Sequence, residues 1–394
     1  MFIVFIRFVP KYIIMSNKQK KKGVISFLLP ILIGVGGGIL LVYITTRVFG
    51  SESHANNDSS GFFLNLIFVL LAIISAIYIQ IVIHEGGHLV SGLLSGYKFV
   101  SFRVGSLTLI KKSGKFLMKR YKVAGTGGQC LMMPPELSTD SFPYKFYNLG
   151  GVIFNFTFSF LAIVCLILFD LSEYTFSFLL VFAIFGILFG LVNGIPMKLS
   201  GIANDGYNIC LLNRDKISRK AFYLQLKING LQSEGIRLKE MPKEWFELPE
   251  NADMENNLHL SIILLKSAWY MDQLRFDEAR QCLESMEPYK NNLIGLYQKE
   301  RDCELLFLEI IGECRPDVIS TLYTDEIKTY IERYSKYMFS KKRILYTYAI
   351  AVDKDKVKAD TIFNDALQMQ DRYPITGDAE SELEIMEYVR KRYI

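Results

Sequence analysis

The sequence predicts a mainly α protein. A polytopic membrane bundle of about four spanning helices, with short cytoplasmic β-hairpins, is followed by a cytoplasmic α-helical repeat-like domain. Three observations predict this. Four apolar runs long enough to cross a bilayer lie before residue 200. Lysine and arginine fall on alternate connections between those runs. From about residue 216 the chain becomes charged, with apolar residues at helical spacing. The expected division is an N-terminal segment with a first span (1–60), a core (61–215) and a helical domain (216–394).

The averages conceal that division. Over 394 residues the chain is 51% hydrophobic and 22% charged, close to an ordinary globular protein. Its 29 Phe and 22 Tyr exclude an intrinsically disordered chain. Six scattered cysteines without a C-x-x-C pair read as reduced thiols rather than a disulfide framework. A net charge of +5 gives no reason to expect nucleic acid as a partner.

The first apolar run, 24–48, follows Lys18, Lys20, Lys21 and Lys22. The nearest small-x-small site, Ser53-His54-Ala55, lies well past it, so a retained helix is expected rather than a cleaved signal peptide. Residues 2–14 are apolar but interrupted by Arg7, Pro10 and Lys11. They are too short to span, and read either as an interfacial segment or as an over-called start ahead of Met15. The remaining runs are 62–90, 152–169 and 176–197. The connection 50–61 carries no Lys or Arg, nor does 170–175, whereas the loop between the second and third runs carries nine, Lys98 to Lys145. Lys198, Arg214, Lys216, Arg219 and Lys220 follow the fourth run. This alternation places both termini and everything after Met197 in the cytoplasm.

Within the loop 97–149, Phe102–Gly105 and Leu107–Ile110 read as short strands, and Phe116–Met118 with Tyr121–Ala124 as a second hairpin. Such strands can take up an extended peptide by main-chain pairing, or the basic loop can lie on anionic lipid. In the second half, Ala268-Trp269-Tyr270 followed by Leu274, Phe276, Ala279, Leu283 and Pro288 is similar to one tetratricopeptide unit. Further helices are expected over 293–312, 316–336, 339–351, 357–371 and 378–392. A helical array of this kind is a candidate surface for a protein partner.

The chemistry lies inside the second span, in His84-Glu85-Gly86-Gly87-His88. Residues i and i+4 share a helix face, so both imidazoles can bind one metal ion. Zn2+ lowers the pKa of a bound water to about 7, and Glu85 is placed to act as general base. Ionisable residues at this depth are costly to bury and usually mark a function. A catalytic zinc needs a third protein ligand and an open position. His54 and His259 fall outside the membrane core, so a carboxylate is required. The stretch from Asn193 through Pro196 to Asp205-Gly206 closes the fourth run on the side of the histidines, and Asp205 is the candidate.

These elements resemble the site-2-protease family of intramembrane zinc metalloproteases. The resemblance spans about 62–210 and rests on His84–His88, on Gly151-Val152-Ile153-Phe154-Asn155 and on the Asn…Pro…Asp-Gly element. It implies that Asp205 is the third zinc ligand. It also implies that Asn155, and with it Asn193, positions the substrate or the oxyanion. The chain departs from the family pattern in having Asn204 where Leu usually precedes Asp-Gly, and in a longer gap from Pro196 to Asp205. In the family, segments like the 97–149 strands form membrane-associated β-structure near the cleft. The expected activity is hydrolysis of a peptide bond in or next to a transmembrane segment of a membrane-protein or peptide substrate, with the lipid bilayer as the other partner and a bacterial plasma membrane as the setting. The alternative is a catalytically silent membrane anchor for a helical-repeat adaptor.

Overall fold

The computed structural model describes residues 43, 59–112, 114–120, 127–137, 141–199 and 202–393. The first expected span and residues 2–14 lie outside the described residues, Tyr43 apart, as does 121–124. By contact the chain separates into two compact units. One contains described residues 59–97 and 143–211. The other contains 98–142 and 212–393, so the loop between the second and third apolar runs packs with the C-terminal half.

The first unit is built on three helices, α1 (Ser59–Leu94), α2 (Tyr144–Leu168) and α3 (Glu173–Gly194). Each is long and apolar enough to cross a membrane. α1 has 36 residues, hence a length of about 54 Å, well beyond the roughly 30 Å of bilayer hydrocarbon. Between Ser59 and His84 it contains no Asp, Glu, Lys or Arg. Leu64, Ile67, Leu70, Leu71 and Ile74 are exposed on it, as are Phe160, Leu161 and Ile167 on α2. Water would penalise so much exposed apolar surface, whereas lipid accommodates it.

Inside the bundle, Val69, Ala76, Ala162, Val181, Phe182 and Ala183 form the core. Small residues set the closest approach, as expected where lipid removes any hydrophobic drive between helices. A Cβ on Gly87 would stand 2.6 Å from the carbonyl carbon of Gly150, and one on Gly150 would stand 2.7 Å from that of Gly87. The α1 and α2 backbones therefore touch at this crossing.

α2 begins at Tyr144, two turns before the expected 152. Lys145 and Asn148 depress the hydropathy of those turns, yet Tyr144, Tyr147 and Asn148 are buried, so packing extends the helix where hydropathy does not. α3 ends at Gly194 ahead of Pro196, as the proline requires. A two-residue ladder, β5 (Lys198–Leu199) with β6 (Ile202–Ala203), then leads into α4 (Asp205–Arg214).

In the second unit, β1 (Lys98–Val104), β2 (Leu107–Lys112), β3 (Lys115–Arg120) and β4 (Gly128–Met133) form an antiparallel sheet of order β3-β2-β1-β4. The first expected hairpin is β1–β2, with Phe102 opposite Leu109. Strand 116–118 pairs with β2, Leu117 opposite Ile110, through a turn at Gly114 (φ 78°), and its expected partner 121–124 lies outside the described residues. β4 packs on α5 (Lys216–Ser233), where Gly230 admits the Met133 side chain.

The remainder is helical: α6 (Asn257–Met271), α7 (Phe276–Glu284), α8 (Gly295–Ile311), α9 (Pro316–Leu322), α10 (Asp325–Tyr334), α11 (Phe339–Ala351), α12 (Lys356–Gln370) and α13 (Thr376–Tyr393). α6 and α7 pack on one another, with Ala279 and Leu283 fully buried and the Ser267 hydroxyl donating to the Ala279 carbonyl. The single helix expected over 316–336 is two. Thr324 caps the second by accepting from the Ile327 amide, which ends the first at Leu322.

Candidate metal centre

Three ionisable side chains, those of His84, His88 and Asp205, converge within the first unit, and Glu85 adjoins the first in sequence. His84, Glu85 and His88 lie on α1 and Asp205 opens α4, and all four are buried. His84 and His88 stand one turn apart, as their spacing requires. Their Nε2 atoms are 3.2 Å apart. Asp205 Oδ2 lies 3.2 Å from His84 Nε2 and 3.4 Å from His88 Nε2. The three donor atoms thus form a nearly equilateral triangle. Donors about 2.0–2.1 Å from a tetrahedral zinc stand about 3.3 Å apart, so the triangle matches one face of such a site and leaves its apex open.

The hydrogen bonds behind the ring nitrogens sharpen this. His88 Nδ1 is 2.8 Å from the Tyr147 carbonyl, which only accepts, so Nδ1 carries a proton and, in the neutral ring, Nε2 a lone pair. His84 Nδ1 is 2.7 Å from Asn155 Oδ1. The Asn155 amide orientation follows from its nitrogen, which donates to the Gln80 carbonyl (3.0 Å) and to Gln80 Oε1 (2.8 Å). His84 therefore also carries its proton on Nδ1. With both rings neutral, two imidazole lone pairs and a carboxylate oxygen face one another at about 3.3 Å in a buried site. A cation is the species that turns this mutual repulsion into attraction, and His84, His88 and Asp205 can hold a metal ion.

Local sequence explains the positions. Gly151 gives up its side chain to the His84 imidazole: a Cβ there would stand 2.5 Å from Cε1 and 2.6 Å from Nδ1. Gly87 permits the α1–α2 contact that brings Tyr147 and Asn155 to the histidines. At Gly86 a Cβ would meet nothing within 4 Å. Asp205 is placed by Asn204. The Asn204 amide donates to the carbonyls of Val192 and Ile195 (2.6 Å each). Its Oδ1 accepts from the amides of Met197 (3.1 Å) and Tyr207 (2.8 Å). One side chain thus caps α4 and ties it to the end of α3, a task that leucine cannot perform. Gly206 lies against the Gly194 carbonyl group, with the Gly194 carbonyl carbon 2.8 Å from where a Cβ would be.

Compared with models of known protein families, with curated proteins and with solved structures, the chain matches none. The centre therefore stands on its own geometry.

Of the residues expected from sequence, His84, His88 and Asp205 come together, with Glu85 next to the first. Asn155 also reaches the centre, where it orients His84. Asn193 donates to the Phe189 carbonyl of its own helix at 3.0 Å. Gln80 was missed. It is fully buried, and its position one turn before His84 puts 80, 84 and 88 on one face, a spacing already legible in the sequence.

Proposed function

We propose that this chain is an intramembrane zinc metalloendopeptidase of site-2-protease type. It hydrolyses a peptide bond in or beside a transmembrane segment of a membrane-protein or peptide substrate. The observation that carries the reading is the donor triangle of His84, His88 and Asp205, with both histidines and the glutamate directly after the first on a helix of membrane-spanning length. Zinc suits two neutral imidazoles and one carboxylate, and when bound it supplies Lewis acidity toward water and the scissile carbonyl. Asn155 and the Tyr147 carbonyl keep both imidazoles in the ligating tautomer. The Glu85 carboxylate takes a proton from the attacking water and delivers it to the leaving amide nitrogen as the C–N bond breaks and a C–O bond forms. A helical substrate hides its carbonyls in its own hydrogen bonds, so it must unwind at the cleavage point, and helix-breaking residues are expected there.

In this reading the bilayer is a plasma membrane of bacterial type, with both termini on the cytoplasmic side as the distribution of Lys and Arg suggests. The tetratricopeptide-like pair α6–α7 and the helices after it would engage a cytoplasmic protein segment.

The test compares membrane peptide fragments from cells carrying the wild-type chain or Glu85→Gln, with bound zinc measured in both purified proteins. Fragments ending inside transmembrane segments, seen with wild type alone, are expected. Identical fragment profiles with zinc bound in both proteins would overturn the protease and favour the silent anchor for a helical-repeat adaptor.

A further inference from the structure

We infer that Gln80 is a positioning residue of the metal centre, fixing the His84 tautomer through Asn155. The inference rests on the metal-binding reading above and adds a residue to it.

The relay crosses all three helices. Gln80 Nε2 on α1 donates to the Phe182 carbonyl of α3 at 3.0 Å. Gln80 Oε1 accepts from Asn155 Nδ2 of α2 at 2.8 Å, and Asn155 Oδ1 meets His84 Nδ1 at 2.7 Å. Gln80 and Asn155 are both fully buried, so water cannot replace a lost partner.

Direction is the essential property. An amide side chain presents a donor at one end and an acceptor at the other, and either can face a histidine. Were Asn155 reversed, its nitrogen would face His84 Nδ1. Nδ1 would then accept, the proton would move to Nε2, and the ligand would be lost. Reversal would also set Asn155 Oδ1 against two acceptors, the Gln80 carbonyl and Oε1. Gln80 cannot relieve that clash by turning over, because its Oε1 would then face the Phe182 carbonyl. That carbonyl only accepts, so it sets the polarity of the whole chain. Gly186 makes the arrangement sterically feasible: a Cβ there would stand 2.8 Å from Gln80 Cδ, closing the approach to Phe182.

A purely structural alternative exists, since buried amides commonly join membrane helices. That role predicts lower bundle stability with no change at the metal. Positioning predicts a change at His84 specifically. Partners that orient a metal-ligating histidine typically account for 10–100-fold in metal affinity.

The experiment uses the full chain in detergent micelles, labelled with 15N-histidine and loaded with zinc. Wild type is expected to give slowly exchanging Nδ1–H resonances from His84 and His88, assigned by single histidine substitutions. In Gln80→Met, of similar size but without either amide group, zinc affinity should fall about 10-fold. The His84 Nδ1–H should exchange faster, while the His88 signal, anchored on the Tyr147 carbonyl, should persist. Should Gln80→Met not fold, Gly186→Ala, whose Cβ would press on Ser159 Oγ and on the Gln80 amide, carries the same expectation for His84, with Ser159→Ala as the control that should leave the His84 signal unchanged. Wild-type zinc affinity with an unchanged His84 signal in the folded variant would overturn the relay and leave the metal reading intact. Failure of the wild-type chain itself to bind zinc would overturn both.

Discussion

Gly151 and Gly86 are both helical glycines beside the candidate metal ligands, and they are expected to respond to alanine in opposite ways. At Gly151 a Cβ would stand 2.5, 2.6 and 2.7 Å from Cε1, Nδ1 and Nε2 of His84. Ordinary contact begins near 3.4 Å, so methyl and ring would overlap by about 0.8 Å. Separating the helices would forfeit the close Gly87–Gly150 backbone packing at the same crossing. The ring must therefore turn, which stretches its 2.7 Å hydrogen bond to Asn155 and draws Nε2 away from the donor triangle. Overpacking of this kind costs roughly 1–3 kcal/mol. The metal-free protein avoids most of it by leaving the ring turned, so the cost falls on binding. Gly151→Ala should weaken zinc binding about 5- to 150-fold, measured by competition with a chromophoric chelator on the full-length protein. Gly86→Ala is the control. Its methyl enters open space, and alanine favours a helix interior over glycine by about 1 kcal/mol, so zinc affinity should hold and thermal stability should be equal or higher. Wild-type zinc affinity in Gly151→Ala would refute the placement of His84 on Gly151.

Two further predictions lie away from the ligands. Asn204→Leu, which places there the residue common in the resembled family, should remove four hydrogen bonds to backbone groups. A loss of about 2–4 kcal/mol is expected, together with reduced bound zinc, by thermal unfolding and elemental analysis; unchanged values in both would contradict the capping role. In the helical domain, hydrogen bonds from Arg315, with Arg280 adding, hold the buried Glu309 carboxyl down at about 2 against the opposing effect of burial. A carboxyl whose folded pKa lies below its unfolded value stabilises above the ordinary range near 4.3, and that contribution disappears as pH falls toward 2. Glu309→Gln should therefore lower the stability of the helical domain by about 2 kcal/mol at pH 7, read from its denaturant transition by circular dichroism. The difference should close between about pH 4.5 and pH 2, and a gap that persists undiminished at pH 2 would contradict the ion-pair origin.

The sequence by itself determined what is local or periodic. Uncharged length gave the helices around 62–90, 152–169 and 176–197, because a bilayer demands about 20 apolar residues in a row. A separation of four put His84 and His88 on one face, because a helix turns once in 3.6 residues. The chain order of the Pro196 and Asp205 elements selected the carboxylate. Tertiary structure decided what depends on neighbours distant in sequence. The first two turns of α2 were illegible because Tyr144 and Tyr147 are buried against other elements while Lys145 and Asn148 dilute hydropathy. The pairing of strand 116–118 with β2 was not legible, since pairing is settled by what adjoins a strand and not by its own residues. The break at 323–324 came from the Thr324 cap within an otherwise continuous helical pattern. Asn204 looked like a departure from a family pattern and proves to be the cap that positions Asp205. Whether the two histidines could ligate at all depended on which ring nitrogen held the proton. That proton is set across helices, by the Tyr147 carbonyl for His88 and by Asn155 and Gln80 for His84, and the close approach that allows it exists because Gly87, Gly150 and Gly151 have no side chains.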